Sequence, residues 1–346
     1  GSPFPDMGKE ESPNIANAKH DFPFVGLLKD CAKKKDLQQG SALHADILER
    51  RILHGKSGPY VGSALISMYA KCGALAKARL VLETLPVRNV VSWNALIAGY
   101  AQQGQGHEAL DCFEKMQREG ISPNTVTLIC ILKACGSTGA IDKGKEIHKD
   151  ATHRGLLNDI GLGNALIDMY TKCDMLSKAQ EVHEELPFRN IISWNGLIAG
   201  YAQQRQVHQA LNCFQQIQSE GLSPDEVTFV CVLNACSHSG LLDKAQTLFE
   251  IMTLKHGVFP HLEHLTCMVV IFGCAGYFDK AISVIKAEAT CDYLAIWLAL
   301  LGSCRKWGHV TLGKVAFDQI LQRDATSATA YVLMAATFAS AGMHED

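Results

Sequence analysis

The stretch SWNALIAGYAQQ, Ser92 to Gln103, returns almost unchanged as SWNGLIAGYAQQ, Ser193 to Gln204, 101 residues later. Other segments keep the same register. ALISMYAKC (Ala64 to Cys72) returns as ALIDMYTKC (Ala165 to Cys173), and TVTLICILKACGSTGAIDKG (Thr125 to Gly144) returns as EVTFVCVLNACSHSGLLDKA (Glu226 to Ala245). Constant spacing over such lengths is duplication, and it predicts stacked repeats in place of one globular core. The 101 residues divide into units of 31, 35 and 35: Pro59 to Asn89, Val90 to Asn124 and Thr125 to Asp159. The next cycle runs Ile160 to Asn190, Ile191 to Asp225 and Glu226 to about His261.

Each unit reads as two amphipathic helices. Trp93, Leu96, Ile97 and Tyr100 follow the i, i+3, i+4, i+7 spacing of one helix face. Gly104 and Gly106 interrupt the pattern. Ala109, Leu110, Phe113 and Met116 then mark a second stripe, and Gly120 before Ser-Pro-Asn is a helix stop. No alternating stretch rich in Val, Ile and Thr is bounded like a strand. A pair of helices this short cannot bury both stripes alone, so neighbouring pairs must stack. The predicted fold class is all-α, an α-solenoid of helix-turn-helix repeats.

Composition narrows the function classes. With 32 Lys and Arg against 35 Asp and Glu, the net charge is -3, which argues against nucleic-acid binding through a broad basic surface. No apolar run approaches the roughly 18 residues of a membrane span, so no membrane partner is expected. None of the 13 cysteines forms a C-x-x-C pair, so zinc-ribbon and redox spacings are absent. Cys72 and Cys173, Cys112 and Cys213, Cys130 and Cys231, and Cys135 and Cys236 instead recur at the repeat spacing. Thiols duplicated within apolar helix faces read as small buried hydrophobes, and so many of them favour a reducing compartment. No metal or cofactor is implied. Residues 1 to about 18 are polar and read as a disordered lead-in, with Gly1-Ser2 a cloning remnant.

The alternating 35, 35 and 31-residue units resemble the plant pentatricopeptide-repeat family, in its PLS subclass of P, L and S repeats. Val90 to Asn124 resembles a P repeat, Thr125 to Asp159 an L repeat and Ile160 to Asn190 an S repeat. Asp21 to about Gly58 resembles a divergent leading L repeat, so residues 19–292 read as units of types L, S, P, L, S, P, L, S. EHLTCMVV (Glu263 to Val270) and FGCAGYFDKA (Phe272 to Ala281) resemble the final S-type repeat. IWLALLGSCRKWGHVTLGK (Ile296 to Lys314) and YVLMAATFASAG (Tyr331 to Gly342) resemble two E motifs, making residues 293–346 an E-motif region that stops inside the second. The resemblance implies a mitochondrial or chloroplast protein that binds single-stranded RNA and selects a cytidine for C-to-U editing. Other editing factors, or a deaminase supplied in trans, are the implied partners.

Asn94 follows Trp93 by one residue, a rotation of about 100° that is expected to take it off the buried stripe. The resemblance implies that this fifth position and the last residue of the repeat together choose one base. A terminal Asp offers only acceptors, for uracil N3–H or guanine N1–H, whereas a terminal Asn can also donate to cytosine N3 or adenine N1. A short hydroxyl at position five goes with purines in the family, and Asn with pyrimidines. Ser63 with Asn89 then implies A, Asn94 with Asn124 implies C or U, and Asn164 with Asn190 again C or U. Asn195 with Asp225 implies U, and Thr266 with Asp292 implies G. Val25, Ile129 and Val230 occupy position five of the L repeats and cannot hydrogen-bond a base. The implied site is 5′-A-Y-n-Y-U-n-G-3′, with the edited C a few nucleotides downstream. Tyr60, Val91 and Ile192, at position two, would pack against base faces, and Gly161 departs from that pattern. A plainer role for an Asn at a repeat end is a turn or cap.

Editing chemistry itself needs H-x-E and P-C-x-x-C around a zinc ion. His261-Leu262-Glu263 spells the first, but the second is absent, so the chain is expected not to be an enzyme, and any deaminase domain would lie beyond Asp346. Two other classes stay open: a tetratricopeptide-like peptide binder and a scaffold for other editing factors. A salt series separates these modes. Base-led recognition without a basic patch predicts strong sequence preference with a shallow dependence of log affinity on log salt. A steep slope with no sequence preference would contradict it.

Overall fold

Asn89 and Asn124, each the last residue of a repeat, open the helices that follow them in the same way. Each lies in extended backbone, and its side-chain oxygen accepts from the N–H three residues on, that of Ser92 or Thr127. The hydroxyl of that third residue accepts the Asn N–H in return. Asn190 with Ser193 and Asp225 with Thr228 repeat the arrangement. Such a reciprocal cap satisfies two otherwise orphaned donors, and a capping side chain contributes about 1 kcal/mol. The residue that ends one repeat therefore starts the first helix of the next.

The computed structural model describes residues 18–287 and 294–342, in which helices alternate with short turns and no strand is present among the described residues. The chain divides between Met169 and Tyr170 into two compact units. The first contains α1 (Ala18–Lys34), α2 (Leu37–Glu49), α3 (Gly58–Lys71), α4 (Leu75–Thr84), α5 (Val90–Gln102), α6 (Gly106–Arg118), α7 (Thr125–Thr138) and α8 (Ile141–His153). The helix α9 (Ile160–Lys172) carries the division. The second unit continues with α10 (Leu176–Glu185), α11 (Ile191–Gln203), α12 (Val207–Ser219), α13 (Glu226–Ser239) and α14 (Leu242–Leu254). It ends with α15 (Leu262–Cys274), α16 (Phe278–Ala287), α17 (Leu294–Trp307), α18 (Val310–Leu321) and α19 (Ala328–Ser340).

Within each unit the first helices of successive pairs pack on one another: α1, α3, α5 and α7 in the first, and α11, α13, α15, α17 and α19 in the second. The second helices α2, α4, α6, α8, α12, α14, α16 and α18 each pack on their own first helix, and α4 and α6 also reach the first helix of the next pair. The predicted stripe Trp93, Leu96, Ile97 and Tyr100 is buried. On α6 the buried stripe is Ala109, Cys112, Phe113 and Met116. Leu110 is only half-buried, because Cys112 holds the i+3 place from Ala109 that faces the core. Each large side chain so buried contributes about 1.5–3 kcal/mol. Gly99 sets how closely α5 approaches α3, since a Cβ there would lie 2.6 Å from the Ala70 Cβ.

The cysteines behave as packing groups. Burial pushes the thiols of Cys112, Cys213 and Cys236 up to about 11, so they stay protonated at neutral pH. No described helix is long and apolar enough to cross a membrane. The lead-in expected at residues 1–18 lies outside the described residues up to position 17.

Among the places where the two duplicated cycles differ, two yield direct tests. Gly104 turns the chain at φ 74°, and its counterpart Arg205 takes the same left-handed turn at φ 57°. A side chain is disfavoured in that region by about 1–2 kcal/mol, so Arg205→Gly should stabilise the protein by roughly 0.5–1 kcal/mol after the added flexibility of glycine. Thermal unfolding checks this, and a lowered midpoint would refute it. His183 replaces Leu82 of the first cycle and lies buried edge-on to Trp194, ring centroids 4.2 Å apart. Burial, helped by the positive charge of Arg189, pulls its pKa from 6.5 down to about 4. The unfolded chain thus binds a proton that the folded chain does not, and stability falls as pH drops from about 6.5 toward about 4. His183→Leu should remove on the order of 2–3 kcal/mol of that acid loss, read from denaturation midpoints at pH 7 and pH 4.5.

Candidate nucleic-acid interface

Because the last residue of a repeat caps the next first helix, that helix begins beside the first turn of its predecessor. The second residue of α5, α7, α11 and α13 then faces outward, as Tyr60 does near the start of α3. Tyr60 is 72% exposed, Val91 57% and Ile192 60%, and Val126 and Val227 at the matching L-repeat positions are also exposed. In the first unit these side chains border a concavity of about 590 Å³. Its lining includes Tyr60, Val91 and Val126, the position-five residues Val25, Ser63 and Asn94, and the caps Asn89 and Asn124. Lys29 and Lys71 stand on its wall, and none of the lining residues is acidic. The net negative chain thus holds a locally positive groove.

Position five is more enclosed than the rotation argument predicts. Asn94 is 9% exposed and Asn195 7%, because the capped start of the following first helix covers them. There they meet the caps directly. The Asn94 Nδ2 donates to Asn124 Oδ1 at 3.0 Å, and the Thr127 hydroxyl donates to Asn94 Oδ1 at 2.7 Å. In the second unit Asn195 Nδ2 donates to Asp225 Oδ1 at 2.9 Å, and Thr228 Oγ1 donates to Asn195 Oδ1 at 2.7 Å. The cap requires an oxygen toward the backbone N–H, so Oδ1 of residue 124 or 225 points inward. The other terminal atom, Nδ2 of Asn124 or Oδ2 of Asp225, is left for a ligand: a donor in one repeat and an acceptor in the other. Beside the second of these, burial first and the Asp225 charge second push the Cys231 thiol up to about 12.

The hydroxyls at position five behave differently. Ser63 Oγ donates to the Pro59 carbonyl at 2.7 Å, and Thr266 Oγ1 to the Leu262 carbonyl at 2.7 Å. Ser63 therefore shares the concavity with Asn89 but is not bonded to it. Asn164 belongs to the first unit and Asn190 to the second. Asn164 Oδ1 is buried and has no hydrogen-bond partner, whereas Asn190 is a cap. Asp292 lies outside the described residues. Ile129 and Val230 are half-buried, and a Cβ on Gly161 would sit 3.1 Å from Asp159 Oδ1. His261 and Glu263 of the H-x-E triplet pair with each other, Nδ1 to Oε2 at 2.6 Å, at the start of α15.

Sequence reasoning did not single out Thr127, Thr228, Lys29 or Lys71. The Asn-x-x-Thr and Asp-x-x-Thr spacing of the caps was legible. The second bond of each threonine, to an amide 33 residues earlier, was not.

Comparison with known proteins adds to this geometry. A family model described as the PPR repeat family matches residues 88–137 and 189–238, and one described as PPR repeat matches residues 164–191 and 227–256. The chain is 38% identical over 331 residues to the pentatricopeptide repeat-containing protein CRR2, chloroplastic, of Arabidopsis thaliana, an alignment covering 94% of this chain and 50% of that protein. It is 36% identical over 321 residues to a mitochondrial pentatricopeptide repeat-containing protein of the same plant, covering 93% and 57%. It spans about half the length of such relatives. Among solved structures, it is similar to pentatricopeptide repeat protein PPR10 in complex with an 18-nt psaJ RNA element, with a TM-score of 0.70 at 16% identity. That match covers 88% of this chain and 45% of the other, and at such identity it shows a shared fold.

Proposed function

The chain belongs to the pentatricopeptide-repeat proteins, and from that premise we propose that it binds single-stranded RNA of a mitochondrion or chloroplast, one base per repeat. Its repeats are of the PLS subclass with E motifs, and the bound site is marked for C-to-U editing by a deaminase activity outside residues 1–346. The observation that carries this reading is the first-unit groove. It gathers the residues at positions two, five and last into one place with two lysines on its wall. Exposed Tyr60, Val91 and Val126 offer apolar faces for bases to stack on. The caps offer edge-reading atoms, and Lys29 and Lys71 offer charge to phosphates. PPR10, which has the same fold, was solved with an RNA element, and that supports RNA over a peptide as the occupant.

The base assignments rest on the same pairs. Asn94 with Asn124 and Asn164 with Asn190 read C or U, Asn195 with Asp225 reads U, Ser63 with Asn89 reads A, and Thr266 with Asp292 reads G. Single strands are read through exposed base edges of this kind, and the pattern needs no basic surface beyond the groove.

Fluorescence-anisotropy titration against an RNA carrying 5′-A-Y-n-Y-U-n-G-3′, and against one with the Y and G positions exchanged, tests the reading. The first RNA should bind more tightly, and equal affinity would refute the assignments. Asn195→Thr should move the preference at the fifth nucleotide from U toward G by roughly tenfold, the scale of one hydrogen bond. An unchanged base profile would refute that pairing.

A further inference from the structure

The amides at position five can face a base with either end, and a freely turning Asn would discriminate poorly. An amide carries a donor and an acceptor on one short side chain, so its selectivity depends on what holds it. In both 35-residue repeats ending at Asn124 and Asp225, both ends are held. The cap oxygen takes one hydrogen of the amide nitrogen, and the hydroxyl three residues past the cap takes the amide oxygen, at 2.7 Å in each case. That hydroxyl is itself buried, with Thr127 and Thr228 fully enclosed; it accepts the cap's own N–H, and its one proton lies between the amide oxygen at 2.7 Å and the cap oxygen at 3.0 Å for Thr127 and 2.8 Å for Thr228. The serines in the same place, Ser92 and Ser193, do otherwise. Their hydroxyls turn back to the carbonyls of Asn89 and Asn190, each at 2.8 Å.

We propose that Thr127 and Thr228 are positioning residues for base selection: each hydroxyl locks the oxygen of Asn94 or Asn195 inward, so that the amide meets the RNA only as a donor. This rests on the base reading proposed above. A donor at this place suits the O2 carbonyl that cytosine and uracil share. It meets nothing useful on adenine, and it opposes the N2 amino donor of guanine. The lock thus accounts for a pyrimidine preference, while the outward atom of the cap, Nδ2 of Asn124 or Oδ2 of Asp225, separates C from U. Each threonine belongs by sequence to the repeat after the one whose base it sets.

The test uses the full chain and four RNAs that differ only at the nucleotide facing the Ile191–Asp225 repeat. Thr228→Val keeps shape and burial but removes the hydroxyl, releasing the Asn195 oxygen to accept from guanine. The preference for U over G should fall roughly tenfold there, with preferences at the other nucleotides unchanged. Thr228→Ser restores the hydroxyl and should restore the preference. Thr127→Val in the first unit is the independent second variant, and it should relax pyrimidine selection at its own nucleotide alone. Circular dichroism melts confirm that the variants compared are folded. A wild-type chain indifferent to the base at that nucleotide would overturn the base reading and this role with it. A wild-type preference that survives Thr228→Val and Thr127→Val, or variants that weaken all four RNAs equally, would overturn the hydroxyl's role alone.

Discussion

The helix cap made by the last residue of each repeat is the constraint on which the rest depends. A helix start leaves backbone N–H groups without intrahelical partners, and here Asn89, Asn124, Asn190 and Asp225 each satisfy one of them through a side-chain oxygen. Those caps fix where each first helix begins, and so how it lies against the first helix before it. They also fix which terminal atom of the cap is turned away from the backbone. The capping role and the proposed base-reading role, which look like competing explanations of the same residue, are compatible because each would use a different atom.

The same economy reconciles the proposed RNA binding with a net charge of -3. Charge is distributed by position along the repeat. Lys29 and Lys71 stand on the groove wall, whereas Arg88 and Arg189 pair with Glu119 and Glu220, residues of the second helices' ends and not of the groove lining. Two cations against a groove without carboxylates matter more locally than a small overall deficit, because a Debye length of about 8 Å confines their influence to the groove.

The duplicated cycles show what repetition tolerates. Arg205 keeps a turn that Gly104 makes without strain, and His183 fills a place that Leu82 occupies in the first cycle. Stacked repeats distribute stability over many similar interfaces, so a local loss at one turn or one buried ring is absorbed. The caps keep the one atom they need: Asn89 and Asn190, and Asn124 and Asp225, each retain the side-chain oxygen that accepts the helix N–H.

Much of this was legible before any coordinates. The 101-residue register in SWNALIAGYAQQ and its copy, the helical spacing of Trp93 to Tyr100, and the glycine stops determined an all-α stack, because periodicity and breakers are local properties of a chain. The candidate pairs were legible for the same reason, as polar residues recurring at fixed places. Only the tertiary structure decided that Asn94 and Asn195 are enclosed instead of open, that Cys112 takes the core place assigned to Leu110, and that a groove gathers Tyr60, Val91, Asn94 and Asn124. It alone brought Thr127 to Asn94 and Thr228 to Asn195. Those bonds join residues on consecutive first helices, and no spacing within one helix predicts how closely the next will pack.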